Sequence, residues 1–188
     1  MITIIISGMS CVGKTTVAKA LAKRFDLRYL SGGDMLKEIA IEMGYRSSGD
    51  DWWDTPEGMK FLNERKKDPS FDKKVDERLI QYAQKGGVVI SSYPLPWLTD
   101  KGIKIWLKGS IERRAERMAQ RDNITIEEAR RIVLIRDDEN KRLYNQLYNI
   151  RFGDDLSVFD FVINTDNLSK EQVIDITYNI VKHFVWKV

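Results

Sequence analysis

Two hydrophobic periods alternate along this chain, and their succession predicts strands separated by helices. Residues 1–7 are apolar and β-branched almost throughout, the pattern of a strand buried on both faces of a sheet. Behind it, Val17, Ala18, Leu21, Ala22 and Phe25 fall on one helical face, with Lys19, Lys23 and Arg24 opposite. A short strand at Arg28–Leu30 follows, then a helix from Asp34 to Met43 that turns Met35, Leu36, Ile39 and Ala40 inward and stops at Gly44. The polar stretch Tyr45–Asp54 reads as a loop. Thr55 and Pro56 read as the cap and first position of another helix, which Asp68-Pro69 breaks. A helix from about Ser70 to Lys85, with Val75, Leu79 and Tyr82 inward, ends at Gly86-Gly87. Val88–Ser91 and Ile103–Leu107 are the third and fourth strands. Ser110 caps a helix through Arg121, and Thr125 with Glu128 forms a capping box that opens a long helix to about Tyr148. Phe159–Asn164 is the fifth strand. Ser169 and Gln172 make a second capping box, before a helix that turns Val173, Ile176, Ile180 and Phe184 to the core.

Strands that alternate with helices imply an α/β fold, with a parallel sheet covered on both faces. The stretches 34–85 and 110–156 are helical excursions between strands, where a second site could be built. There is no internal repeat or low-complexity run. At 188 residues the chain suits one domain, which can bury roughly 70% of its unfolded surface. With 43% hydrophobic residues it is not disordered, and no window is long and apolar enough for a membrane span. The first strand lacks a basic flank and runs straight into Gly8, so no targeting peptide is expected. One cysteine permits no internal disulfide and points to the cytoplasm. The net charge of +3 is too balanced to argue for a nucleic-acid partner. One histidine and one cysteine cannot build a zinc site, and His183 is expected on the surface of the last helix.

The chemistry begins at the end of the first strand. Gly8-Met9-Ser10-Cys11-Val12-Gly13-Lys14-Thr15 satisfies G-x-x-x-x-G-K-[ST] between a strand and a helix, as a phosphate-binding loop requires. Glycines let the backbone curl its N–H groups around one anion, and the helix N-terminus adds about half a positive charge. Lys14 would reach the β- and γ-phosphates of ATP, the Thr15 hydroxyl would hold Mg²⁺, and Thr16 extends the first helical turn. Cys11 is either an activated thiol at a helix N-terminus or, the favoured reading, a variable loop position.

Two further constellations lie downstream. Asp34 and Lys37, one turn apart after Ser31, could face one ligand; equally, Ser31 or Asp34 caps the helix and Lys37 is solvated. Arg113, Arg114, Arg117 and Arg121, then Arg136, Lys141 and Arg142, lie on two helices joined by a tight turn. Such a hairpin could fold over the phosphate loop and supply cations to phosphoryl transfer. Interleaved acids, among them Glu112, Glu116, Asp137 and Glu139, would also suit a salt-bridged surface hairpin. Trp52 and Trp53, among Asp50, Asp51 and Asp54, could stack on an acceptor ring or plug a small subdomain.

With these residues in place the chain resembles the nucleoside-monophosphate kinases, and most of all the archaeal cytidylate kinases. The phosphate loop, Ser31-Gly-Gly-Asp34-Met-Leu36, Asp68-Pro-Ser-Phe-Asp72-Lys-Lys-Val-Asp76, Arg114-Ala-Glu-Arg117, Arg121, Ile124-Thr-Ile-Glu-Glu128 and the tail Asp155–Thr165 carry the resemblance. It implies a five-stranded sheet in the order 2-3-1-4-5, with a core of 1–33, 86–109 and 157–188, an acceptor-binding region at about 34–85 and a lid within about 110–156. It further implies Arg117 and Arg121 near the ATP base and phosphates, Arg136 and Arg142 on the transferred phosphoryl group, and Thr165 beside the adenine. The expected partners are small nucleotides, with ATP and Mg²⁺ as cofactors, and the expected state is a cytoplasmic monomer. The acceptor side departs from the pattern. Lys37 stands where an arginine is usual, and Ser91-Ser92-Tyr93 replaces an acidic residue and an arginine. Arg46, Arg65 and Tyr93 are then the remaining candidates, beside Ser31, Asp34 and Lys37, for holding the acceptor.

Overall fold

The strand that precedes the glycine loop, β1 (Thr3–Gly8), is buried at all six positions and forms the middle of the sheet. The structure, a computed structural model, describes residues 1–45, 60, 61, 68 and 70–185. Around β1 stand β2 (Arg28–Ser31), β3 (Val88–Ser91), β4 (Ile103–Lys108) and β5 (Phe161–Asn164), all parallel, in the order β2-β3-β1-β4-β5. This is the order that the resemblance implies. Register is fixed by pairs such as Ile5 with Ile90 and Ile6 with Ile105.

The alternation of side chains along β1 divides the core in two. Ile4 and Ile6 pack against α1 (Lys14–Phe25) and α7 (Lys170–Val185), together with Val17, Leu21, Val173 and Val181. Ile5 points to the other face, against Met35, Leu36 and Ile39 of α2 (Gly32–Glu42) and Val75 and Leu79 of α3 (Ser70–Lys85). A short helix, α4 (Leu95–Leu98), follows β3, then α5 (Ile111–Asp122) and α6 (Ile126–Tyr148) form the hairpin between β4 and β5. Tyr93, Trp97, Trp106, Tyr144, Phe152 and Phe159 make an aromatic cluster where α4, β4 and the end of α6 meet.

Three of the caps read from sequence are present. Ser110 Oγ accepts from Arg113 N–H, Thr125 Oγ1 from Glu128 N–H and Ser169 Oγ from Gln172 N–H, while Gln172 Oε1 accepts from Ser169 N–H at 2.8 Å. Three helices end on left-handed residues that are not glycine, Asp26, Asn123 and Asn149, each with φ near 54°. Their short polar side chains tolerate that conformation.

Four expectations need correction. β1 starts at Thr3 and β5 at Phe161, two residues later than the apolar runs suggest. α2 begins at Gly32 rather than Asp34, because Ser31 is its cap. α4 was not anticipated from a segment with two prolines, although proline suits a first helical turn. The buried face of α7 is Val173, Ile174, Thr177 and Val181, whereas Ile176 and Phe184 are exposed at 38% and 46%. Thr177 is admitted to the core stripe because its hydroxyl donates to the Val173 carbonyl at 2.6 Å, which leaves no unsatisfied polar group there. Of the helix read from Thr55-Pro56 only Lys60 and Phe61 are described, both helical, and the Trp52-Trp53 segment lies outside the described residues.

Candidate active site

A cavity of about 760 Å³ opens at the carboxyl ends of β1, β2 and β3, where ligands bind in parallel α/β sheets. One wall is the loop between β1 and α1. Gly8 has φ 151° and lies against Leu107 of β4, and a Cβ there would collide with the Leu107 carbonyl and the Val12 side chain. Gly13, with φ 101°, is the left-handed cap of α1 and leaves its first turn open to the cavity. Cys11 is also left-handed, with φ 61°.

Lys14 folds back across this loop. Its Nζ donates to the carbonyls of Gly8 at 2.9 Å and Met9 at 2.8 Å, and lies 4.1 Å from the centre of the Tyr93 ring. Burial pushes the Lys14 ammonium below its ordinary value, against the raising influence of Tyr93 and Asp137. Tyr93 leaves the end of β3, and its carbonyl accepts from Ser7 Oγ of β1 at 2.8 Å. Burial raises the Tyr93 phenol, but Lys14, Ser10 and Arg136 together outweigh it and hold it below its ordinary value. So the position without arginine is filled by a ring face carrying the loop lysine.

The base of the α5–α6 hairpin is joined to the loop and to the strand after it. Arg117 donates to the Thr165 hydroxyl at 3.0 Å and to the Thr165 carbonyl at 2.8 Å, and Thr165 Oγ1 donates to the Lys108 carbonyl. Desolvation holds the Arg117 guanidinium below its ordinary value, with Arg113 adding to the effect. Arg121 lines the cavity while paired to Asp122 at 2.6 Å, a hydrogen bond that raises its guanidinium further. Deeper still, Arg114 and Asp137 form a buried pair at 2.8 Å that also bonds both backbone groups of Ser10.

α6 presents Arg136, Asn140 and Leu143, one helical stripe, to the cavity. Across from it stand Ser31, Gly32 and Leu36 of α2 and Asp72 and Asp76 of α3. Asp76, 5% exposed, accepts from the Tyr148 hydroxyl at 2.7 Å and so ties α3 to the end of α6. Burial and this carboxylate hold the Tyr148 phenol well above its ordinary value.

Of the residues singled out from sequence, Cys11 through Thr16, Ser31, Tyr93, Arg117, Arg121, Arg136 and Thr165 line this one cavity. Gly8, Met9 and Ser10 complete the loop without entering the wall. Asp34 and Lys37 are not in the wall; Ser31 Oγ accepts from Asp34 N–H and donates to Asp34 Oδ2 at 2.7 Å, which is the capping reading. Arg142 is 79% exposed and paired to Asp138 at 2.7 Å, away from the wall. Arg46 and Arg65 lie outside the described residues. His183 is exposed on α7. Sequence reasoning missed Asp72, Asp76, Asn140 and Tyr144 as wall residues and the Arg114–Asp137 pair. The i, i+4 spacing of Asp72 and Asp76 was the available signal. Among the described residues no group of three His, Cys, Asp or Glu could hold a metal, and no helix is long and apolar enough to cross a membrane.

Comparison with known proteins adds to this geometry. Residues 2–167 match the profile of the cytidylate kinase-like family. A cytidylate kinase of Staphylothermus marinus is 36% identical over 100% of this chain and 98% of its own. One from Pyrobaculum islandicum is 37% identical over 96% of this chain and 93% of its own. Among solved structures, an uncharacterized protein from Eubacterium ventriosum superposes with a TM-score of 0.71 at 17% identity, covering 97% of this chain and 98% of that one. Shikimate kinase from Acinetobacter baumannii gives 0.56 at 18% identity, covering 100% of this chain and 94% of that one. These two likenesses are of fold alone.

Proposed function

The chain belongs to the cytidylate kinase-like family, and from that premise we propose that it transfers the γ-phosphoryl group of ATP to a nucleoside monophosphate, CMP or dCMP. The observation that carries this reading is the shared cavity. A phosphate-binding loop forms one wall, hairpin arginines overhang it, and the space between α2 and α3 faces it. The acceptor region is taken as about 34–85 and the lid as part of about 110–156.

In this mechanism the backbone N–H groups from Cys11 to Thr15 and the start of α1 bind the donor phosphates. Lys14 exchanges its two loop carbonyls for phosphate oxygens, a replacement favoured because the ammonium is desolvated where it sits. Thr165 flanks the adenine, with Arg117 holding its backbone and hydroxyl in place. Arg136 meets charge on the transferred group. The acceptor oxygen is already anionic, so in-line positioning dominates and no strong base is needed. The Thr15 hydroxyl, in the wall, would hold Mg²⁺; Ser91, another wall hydroxyl, stands where the resemblance leads one to expect an acid. Hydroxyl donors suit an ion bound mainly through phosphates and water, and that ion would neutralise charge on the donor phosphates. The protein acts on small nucleotides as a monomer of the cytoplasm, with no nucleic-acid partner.

A second reading is a kinase of the same fold with another small acceptor. It is favoured by Tyr93 in place of arginine and by two carboxylates, Asp72 and Asp76, in the acceptor wall. The test is a survey of CMP, dCMP, UMP, AMP and uncharged hydroxyl acceptors with ATP, following ADP release and product mass. CDP or dCDP as the main product supports the first reading. Product only from another acceptor supports the second.

A further inference from the structure

The Arg114–Asp137 pair has no part in the mechanism above, yet among the described residues it is one of the few places where charged side chains are buried, at 3% and 7% exposure. Removing two charges from water is costly, and the interior repays it only when the remaining hydrogen-bonding capacity is met. Here it is met by the phosphate loop. Arg114 Nη2 meets Asp137 Oδ2 at 2.8 Å, and Nη1 donates to Asp137 Oδ1 and to the Ser10 carbonyl, both at 3.1 Å. Nε donates to the Gly109 carbonyl at 3.0 Å. Asp137 Oδ1 accepts from Ser10 N–H at 3.3 Å. Both backbone groups of Ser10 are therefore held, one by each helix of the hairpin. The next residue, Cys11, carries the left-handed turn of the loop, and the residue before Asp137 is Arg136 in the cavity wall.

We propose that Arg114 and Asp137 are positioning residues that fix the phosphate loop and the presentation of Arg136 in one rigid unit. The middle of α6 is thus pinned before nucleotide arrives. Arg136 is presented by a fixed strut rather than swung in by lid closure. Residues of the hairpin away from Ser10, including Arg142, are left to move. The inference rests on the phosphotransfer reading for its kinetic arm only.

A merely structural pair and a positioning pair predict different results. Replacing a buried ion pair by apolar residues of similar volume is often neutral or stabilising, so the double variant Arg114→Met/Asp137→Leu is expected to keep a melting temperature close to wild type. Its kcat should fall about 10- to 100-fold, the penalty of an ångström-scale misplacement, with the KM for ATP changed less than about threefold. Adding Arg136→Ala should cost much less in this variant than in wild type, since the two act as one unit. A folded double variant with kcat within about twofold of wild type and an undiminished Arg136→Ala penalty overturns the proposal.

Amide hydrogen exchange on the wild-type chain, free and with ADP, decides the matter even if that variant fails to fold. The strut predicts that residues 133–140 are equally protected in both states. A gain of about tenfold or more on ADP binding would show an arm that swings and would overturn it. A wild-type protein that phosphorylates nothing counts against the functional reading, and the exchange result still decides the strut.

Discussion

Lys14 is held by a balance of burial and local contacts. Its charge is desolvated, and two carbonyls and the Tyr93 ring only partly compensate. Lys14→Ala is expected to abolish phosphoryl transfer in a folded protein, because a cation on the β/γ-phosphates contributes several kcal/mol to the transition state. Circular dichroism and ADP release check the two halves of that statement. The same burial has a pH signature. The folded pKa of Lys14 lies below 10.5, so between that value and 10.5 the unfolded chain holds a proton that the folded chain has lost. Stability should therefore rise with pH across this window. Tyr93, held below 10.0, acts in the same sense, and its lowering depends largely on Lys14. Urea unfolding should show stability climbing as pH approaches 10, and Lys14→Met should remove most of that climb. An equal climb in the variant would mean that other groups produce it. The loop lysine was legible in sequence because its motif is contiguous. Its partner was not, since Tyr93 meets Lys14 only through the pairing of β1 with β3.

On the scale of elements, α6 carries both arginines assigned to the transferred phosphoryl group, and the structure separates them. Arg136 is in the cavity wall; Arg142 is one exposed partner of an i, i+4 pair, of a kind that contributes little. Arg136→Ala should lower kcat by about 100-fold or more with a small change in KM for ATP, as expected of a contact made late in the reaction. Arg142→Ala should cost less than Arg136→Ala unless closure brings it inward, so steady-state kinetics of the two variants measures how far that part of the hairpin moves. Caps are a second property at this scale. The reciprocal bonds between Ser169 and Gln172 start α7, and Ser169→Ala should destabilise the protein by about 1 kcal/mol in denaturant unfolding without altering kcat. Helix starts were readable because capping residues are local. The buried face of α7 was not, since Thr177 is polar by type and is satisfied only by a bond within the helix.

In the whole molecule, a parallel sheet with a cavity at its carboxyl edge follows from strands that alternate with helices, a pattern visible along the chain, whereas the strand order was legible only through the family resemblance. The wall opposite the phosphate loop was less visible. Asp72 and Asp76 come from one helix, Tyr144 from another and Ser91 to Pro94 from a strand end, so no single motif joins them. The phosphate loop satisfies its motif at every fixed position, whereas the resemblance leads one to expect arginines where Lys37 and Tyr93 stand, which makes acceptor identity the central claim. Transfer of label from γ-³²P-ATP measures it most directly, with CMP as acceptor and Lys14→Ala as control. Label appearing in CDP with wild type and absent with the variant is the predicted result. Wild type that leaves CMP and dCMP unlabelled while labelling a different acceptor, or releasing only inorganic phosphate, would contradict the account.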